Sequence, residues 1–152
     1  MEIKDIIDTN IMGVNLEGKT KSDAIDVMAD ILLKAGYITD TESYKKDIYY
    51  RETLGKTGIG NYIAIPHGLS KGVVKNGIAI GKFKNEIPWE SIDGKGVRIV
   101  CLFAVQDADN AGNDHLRMLA TIAGKLGDDD VVKDLLDAQT VKDLRNAFLN
   151  HW

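Results

Sequence analysis

Apolar residues recur along this chain with two periods, near two in some runs and near 3.6 in others, and each change of period marks an element. Residues 11–16 (IMGVNL) are a short apolar run between polar flanks, which predicts a first strand that turns out at Gly18 and Lys19. Thr20 and Asp23 stand at capping-box spacing, and Ala24, Val27, Met28, Ile31, Leu32 and Ala35 then repeat at helical intervals until Gly36. This predicts a helix whose apolar face packs on a sheet. A second helix is predicted over about 41–53, with Tyr44, Ile48 and Tyr49 facing inward, Arg51 and Glu52 in its last turn, and Gly55 near its end. Strands follow at 63–65, 77–83 and 97–105, the last a central apolar run. Asn113 or Asp114 caps a helix striped by Leu116, Leu119, Ala120 and Ala123 that ends near Gly127. Short helices over 130–136 and 141–149, the latter capped by Thr140, close the chain.

The order β, α, α, β, β, β, α, α, α predicts a layered α/β domain with a mixed sheet, since both short and helical connections join its strands. With 152 residues, 44% of them hydrophobic, the chain is long enough to bury one continuous core, so residues 1–152 are expected to form a single domain. A net charge of −4 and a pI near 5.3 argue against nucleic-acid binding, which needs clustered positive charge. Cys101 lies inside the central apolar run and, as the one cysteine, has no internal disulfide partner; it reads as a small hydrophobe. No apolar stretch is long enough to span a bilayer and residues 1–5 lack a signal-peptide pattern, so a cytoplasmic protein without membrane insertion is expected.

The chemistry concentrates between Thr57 and Gly68 (TGIGNYIAIPHG), a glycine turn running into an apolar strand that is expected to end at Pro66, His67 and Gly68. Pro66 fixes its φ and lacks an amide hydrogen, so it should stop strand pairing and stiffen the backbone that carries the imidazole, while Gly68 leaves room beside the ring. If one ring nitrogen donates to a backbone carbonyl, the other presents a neutral lone pair, the form that attacks phosphorus. Alone, His67 reads equally well as a turn histidine with a structural hydrogen bond. Arg51 could fold back with a planar donor fork for phosphate oxygens, and His115, in the first turn of its helix, could add an imidazole donor where the dipole favours an anion. Each of these two, taken singly, is an ordinary surface residue.

Taken together, Arg51-Glu52, Thr57-Gly58-Ile59-Gly60, the run from Ile63 to Gly68, Trp89 with Ile92-Asp93-Gly94, and Asn113-Asp114-His115-Leu116 with Leu119 resemble the enzyme IIA domain of the bacterial phosphoenolpyruvate-dependent sugar phosphotransferase system, in its fructose–mannitol class. The resemblance implies a three-layer α/β/α sandwich. It also implies that His67 accepts a phosphoryl group from the histidine-containing phosphocarrier protein and passes it to a IIB component, with Arg51 and His115 stabilising the group. No metal or other cofactor is needed if Arg51, His115 and the backbone of Thr57, Gly58, Ile59 and Gly60 meet the phosphoryl charge. The chain departs from the usual pattern at Lys56, Tyr62 and Gln106, which bears on partner choice. A regulatory use of the same phosphohistidine, as in the nitrogen-related branch, is the alternative.

Other features compete with this reading. Residues 13–20 (GVNLEGKT) satisfy the nucleotide-binding pattern G-x-x-x-x-G-K-[ST], but Val14 and Leu16 are strand-like and Glu17 would repel phosphates. Asp107, Asp109 and Asp114 form an acidic edge that is either solvated charge or a rim for a basic partner. Ile59, Tyr62 and Leu69 are candidates for a docking surface around His67, and His151 is assigned no role.

Overall fold

A computed structural model describes residues 3–107 and 113–152. After two short 3-10 turns the order is β1 (Met12–Leu16), α1 (Lys21–Lys34), α2 (Thr41–Glu52), β2 (Gly58–Gly60), β3 (Ile63–Ala64), β4 (His67–Ser70), β5 (Gly77–Ile87), β6 (Val97–Gln106), α3 (Asn113–Lys125), α4 (Asp129–Asp137) and α5 (Val141–Leu149). The strands make one mixed sheet in the order β1-β5-β6-β3-β2, with β4 also on β6. β5 and β6 run antiparallel, whereas β1 is parallel to β5 and both β3 and β4 are parallel to β6.

The central strand explains the layers. Successive side chains of a strand point to opposite faces, so Ile99, Cys101 and Phe103 enter one core and Val100, Leu102 and Ala104 the other. The first core is completed by apolar residues of α3, α4 and α5, and the second by those of α1 and α2. Helices thus cover both faces of a mixed sheet, which is the α/β/α sandwich. Burial pushes the Cys101 thiol up to about 12, so the group behaves as core, as expected.

Local chemistry sets the helix ends where the sequence places them. Thr20 and Asp23 form a reciprocal capping box on α1, and Thr140 and Asp143 form another on α5. Three predicted details change. Tyr49 is exposed, not inward, and its hydroxyl bonds Ser22 Oγ at 3.2 Å; Tyr44 and Ile48 alone already span the inner face of α2. Ala120 is exposed, while Leu116, Leu119 and Ala123 pack on the core as predicted and are joined by Ile122 and, just past the helix, Leu126. β5 continues to Ile87, past the predicted end at Phe83, because Ile87 re-pairs with Val97 beyond an irregularity in the ladder. His151, given no role from sequence, bonds Asp134 through Nε2 at 2.6 Å and ties the last residues to α4. No helix among the described residues is long and apolar enough to cross a membrane.

The closest approach in the sheet lies beneath α2. A Cβ placed on Gly68 would come within 2.2 Å of Tyr44 Cε1, and Tyr44 cannot easily retreat, being fully buried with its hydroxyl donating to the Phe103 carbonyl at 2.9 Å. Gly68 therefore makes room for Tyr44 and not, as predicted, for the imidazole. Gly68→Ala should destabilise the protein by about 1–3 kcal/mol and lower Tm by roughly 3–10 °C. Thermal unfolding checks this, and an unchanged Tm would mean that the Tyr44 packing yields freely.

Candidate functional site

The segment carrying His67 is a strand interrupted by its proline. β3 pairs Ile63 with Ile99, and four residues further along both strands β4 pairs His67 with Phe103, so the register against β6 survives the break. Pro66 supplies no donor, but its carbonyl still accepts from the Phe103 amide at 2.9 Å. Ile65 leaves the ladder and donates instead to the Thr57 carbonyl at 2.9 Å. His67 therefore opens β4, whereas the sequence predicted that it would close a strand. The one donor that Pro66 lacks does not end pairing, because its carbonyl bond and the register on either side are kept.

Because Gly68 faces α2, His67 faces the opposite layer, where its ring stacks on Phe103 with centroids 4.7 Å apart and an interplanar angle of 14°. Nδ1 is sealed from solvent and makes no hydrogen bond of good geometry, while the residue as a whole is only half-buried. The Nε2 side is thereby the accessible one. Burial holds the imidazole below its ordinary pKa, and the positive charge of Arg51 adds to this; the Ile65 carbonyl and Glu52 pull more weakly the other way.

Arg51 and Glu52 leave the last turn of α2 in different directions. Arg51 is half-buried, and its guanidinium makes one long bond, from Nη1 to the Gly55 carbonyl at 3.3 Å. Glu52 turns inward: Lys21 pairs with its Oε1, and Thr57 Oγ1 donates to the same oxygen at 2.9 Å. Trp89 Nε1 in turn donates to Thr57 Oγ1 at 2.9 Å, and Lys21 reaches Glu90 at 2.6 Å while lying 5.1 Å from the centre of the Trp89 ring. The second oxygen of Glu52 is buried without a partner. The role of Glu52 was not foreseen from sequence, and its place beside Arg51 was the one signal available.

The glycine segment is built as structure. Gly58 donates to the Glu90 carbonyl at 3.1 Å, and a Cβ on it would lie 2.6 Å from that oxygen, so only glycine fits. Gly60 donates to Ser91 Oγ at 3.1 Å and Asn61 to Asp93 Oδ2 at 3.2 Å. Asn61 and Tyr62, at φ 56° and 65°, form the tight turn between β2 and β3. Tyr62, which replaces the usual glycine, accepts a left-handed conformation there and lies under Lys95 Nζ, 5.5 Å from the ring centre. Two of the amides expected to face a phosphoryl group are thus engaged within the fold, and so is the Thr57 hydroxyl. Lys56 is exposed to solvent.

α3 packs on the same layer that His67 faces, and its first turn carries His115 in the backbone. The side chains of His115 and Asp114, and all of Asp109, lie outside the described residues. Residues 13–20 form no phosphate cradle: Val14 and Leu16 belong to β1, and the Lys19 and Thr20 amides both donate to Asp23 Oδ2, at 2.9 and 3.2 Å. An internal carboxylate occupies the position that a nucleotide phosphate would need, which removes the nucleotide-hydrolase reading.

Residues 5–151 match the model of the family described as phosphoenolpyruvate-dependent sugar phosphotransferase system, EIIA 2. The chain is 35% identical over 140 residues to the fructose-specific EIIABC component of Bacillus subtilis, covering 92% of this chain and 22% of that protein, so it spans about a fifth of that relative's length. It is 31% identical to the mannitol-specific enzyme IIA component of Halalkalibacterium halodurans, covering 95% of this chain and 94% of the relative. The nitrogen regulatory protein IIA-Ntr from Neisseria meningitidis shares the fold, with a TM-score of 0.81 at 23% identity over 95% of this chain and 97% of that one. The Escherichia coli mannitol IIA in complex with phosphorylated IIB shares it too, with a TM-score of 0.75 at 23% identity over 93% and 96%. The half-buried imidazole beside an arginine thus sits in a chain that belongs to the EIIA 2 family of the sugar phosphotransferase system.

Proposed function

We propose that this protein is a cytoplasmic phosphocarrier of a sugar phosphotransferase system, taking a phosphoryl group onto His67 from the histidine-containing phosphocarrier protein and passing it to a IIB component. The observation that carries this reading is the His67 ring, stacked on Phe103 with Nδ1 turned inward and held neutral by burial and Arg51. A neutral ring with its hydrogen on the inward nitrogen places the lone pair on Nε2, the accessible side. In the first transfer a bond forms between Nε2 and phosphorus as the bond from phosphorus to the donor imidazole breaks. In the second the Nε2–phosphorus bond breaks in favour of the IIB acceptor, and His67 is regenerated. The protein is a phosphotransferase component and not a stand-alone sugar kinase.

Arg51 has most of its five donors uncommitted and meets the charge on the phosphoryl oxygens. His115 is assigned the complementary position on the α3 side, on its place in the first turn and on the family resemblance. With the amides of Gly58 and Gly60 in use, the segment of Thr57, Gly58, Ile59 and Gly60 acts chiefly by shaping the wall beside His67. Exposed Leu54 and Leu69 flank that wall and provide apolar surface for a docking partner. Fructose-specific and mannitol-specific names among the relatives support transport, and nitrogen regulatory proteins among them keep regulation by the same phosphohistidine as the second reading.

Intact mass measured after incubation with enzyme I, the phosphocarrier protein and phosphoenolpyruvate should show an acid-labile gain of one phosphoryl group. His67→Ala should show none, and a labelled His67→Ala protein would overturn the assignment. Arg51→Gln should keep the fold and slow transfer by roughly 10²–10³-fold.

The acid limb follows from the direction of the His67 shift. Its folded pKa lies below the ordinary value of 6.5, so the ring stays neutral at pH 7 and gains its proton only below 6.5. Between these two values the unfolded chain binds more protons than the folded one, and stability falls as the pH drops. Transfer should therefore hold level down to pH 6.5 and decline beneath it. Arg51→Gln should raise the His67 midpoint, read by NMR titration of the ring; a wild-type midpoint above 6.5 would contradict the electrostatic account.

A further inference from the structure

A cavity of about 510 Å³ opens between the sheet and the C-terminal end of α4, away from the His67 site. The register locates it: Lys82 pairs with Ile99, whereas Ile78 pairs with Phe103 beneath the imidazole. The two sites are therefore four residues apart along β6, about 13 Å. Lys82, Lys84 and Arg98 contribute to the cavity wall, together with the polar side chains of Asn15 and Gln139.

Charge is what sets this cavity apart. Lys84 pairs with Glu17 at 2.9 Å, and Asp137, at the rim, pairs with Lys133 at 3.0 Å. Among the described residues no carboxylate stands within 4.0 Å of either Lys82 or Arg98. Lys82 is only 8% exposed, and its Nζ donates to the Leu136 and Ala138 carbonyls at 2.6 and 2.7 Å, which leaves one of its three hydrogens unassigned. Arg98 Nη2 donates to the Phe83 and Lys84 carbonyls at 3.2 and 3.1 Å, while its Nε is buried without a partner. Burial and the nearby Arg98 charge both push the proton affinity of Lys82 down, more than Asp137 and Asp143 restore it. Bonds to backbone carbonyls explain how both side chains are oriented. They do not explain two neighbouring cations, one of them almost wholly buried, with Asp137 and Asp143 acting on Lys82 only from beyond ion-pair distance.

We propose that this cavity is an anion site that takes a small phosphomonoester, with the phosphate between Lys82 and Arg98 and a hydroxylated body toward Asn15 and Gln139. A phosphate brings the double negative charge and several acceptor oxygens that two cations with unspent donors require, which a carboxylate supplies only in part. The volume exceeds what a bare phosphate fills, and the polar wall suits hydroxyl groups and not an aromatic body. The site is separate from the His67 relay and does not depend on it.

The test is an amide NMR titration of the whole protein with sn-glycerol 3-phosphate and, separately, inorganic phosphate, at constant ionic strength set by chloride. The ester should give saturable shifts at Asn15, Lys84 and Gln139 at millimolar concentrations. Arg98→Gln should weaken binding by about ten-fold or more, the effect of losing a charge-assisted bond. Gln139→Glu, which changes an exposed wall residue and leaves the sheet untouched, should weaken it as well, with His67 labelling unaffected. Tighter binding of the ester than of inorganic phosphate supports the proposal. Tighter or equal binding of inorganic phosphate would overturn the assignment of an ester body. Shifts that fail to saturate, or that persist unchanged in both variants, would overturn the site itself.

Discussion

The pairing of β3 and β4 with one side of β6 is the constraint on which the functional site rests. Since both segments keep the same register across Pro66, His67 is placed over Phe103 as strictly as any residue in a sheet. Alternation then sends Gly68 to the other face, where Tyr44 fills the space left by its missing side chain and bonds the Phe103 carbonyl. The imidazole is clamped through its neighbours: Phe103 stacks on it, and the strand beneath is locked by a tyrosine from α2. A group that must exchange a phosphoryl with two partners gains from being held in one orientation, since positioning lowers the barrier to transfer.

Electrostatics around the site divide along the Arg51-Glu52 pair. The charge of Arg51 acts on the His67 ring, whereas Glu52 is drawn inward by Lys21 and Thr57. Consecutive residues at the end of a helix point about 100° apart, which is what allows adjacent charges to serve separate environments. The Lys21, Glu52, Thr57 and Trp89 network ties the start of α1, the end of α2 and the segment of Trp89 and Glu90 to the glycine segment. Its one unpartnered carboxylate oxygen is the least satisfied atom in that network.

The sequence conveyed the elements well where a single physical signal dominated. The Thr20 capping box, the Thr140 N-cap, the apolar face of α1 and the central strand β6 are local patterns, and each appears as predicted. It misled where a residue type has two uses. A proline reads as the end of a strand, yet here it interrupts one that resumes in register. A glycine-rich turn reads as an anion cradle, yet Gly58 is needed for its close approach to Glu90 and its amide is spent on that contact. By contrast, the string from Gly13 to Thr20 matches a phosphate loop, but the strand-like Val14 and Leu16 already argued against one, and the backbone there is partly strand and partly a capped helix start.

By itself, then, the order of residues determined the layered α/β class, the family, and the histidine and arginine of the proposed relay. The class follows from local periodicity, and the family, with its histidine and arginine, from the resemblance that the motifs carry in order; neither needs knowledge of distant neighbours. Only the tertiary structure decided which face His67 occupies, that Nδ1 is its inward nitrogen, that Glu52 belongs to an internal network, and that Lys82 and Arg98 share a cavity without a carboxylate in ion-pair contact with either. Those facts depend on strand register and on which helix covers which face, and register is set by contacts between residues far apart in the chain.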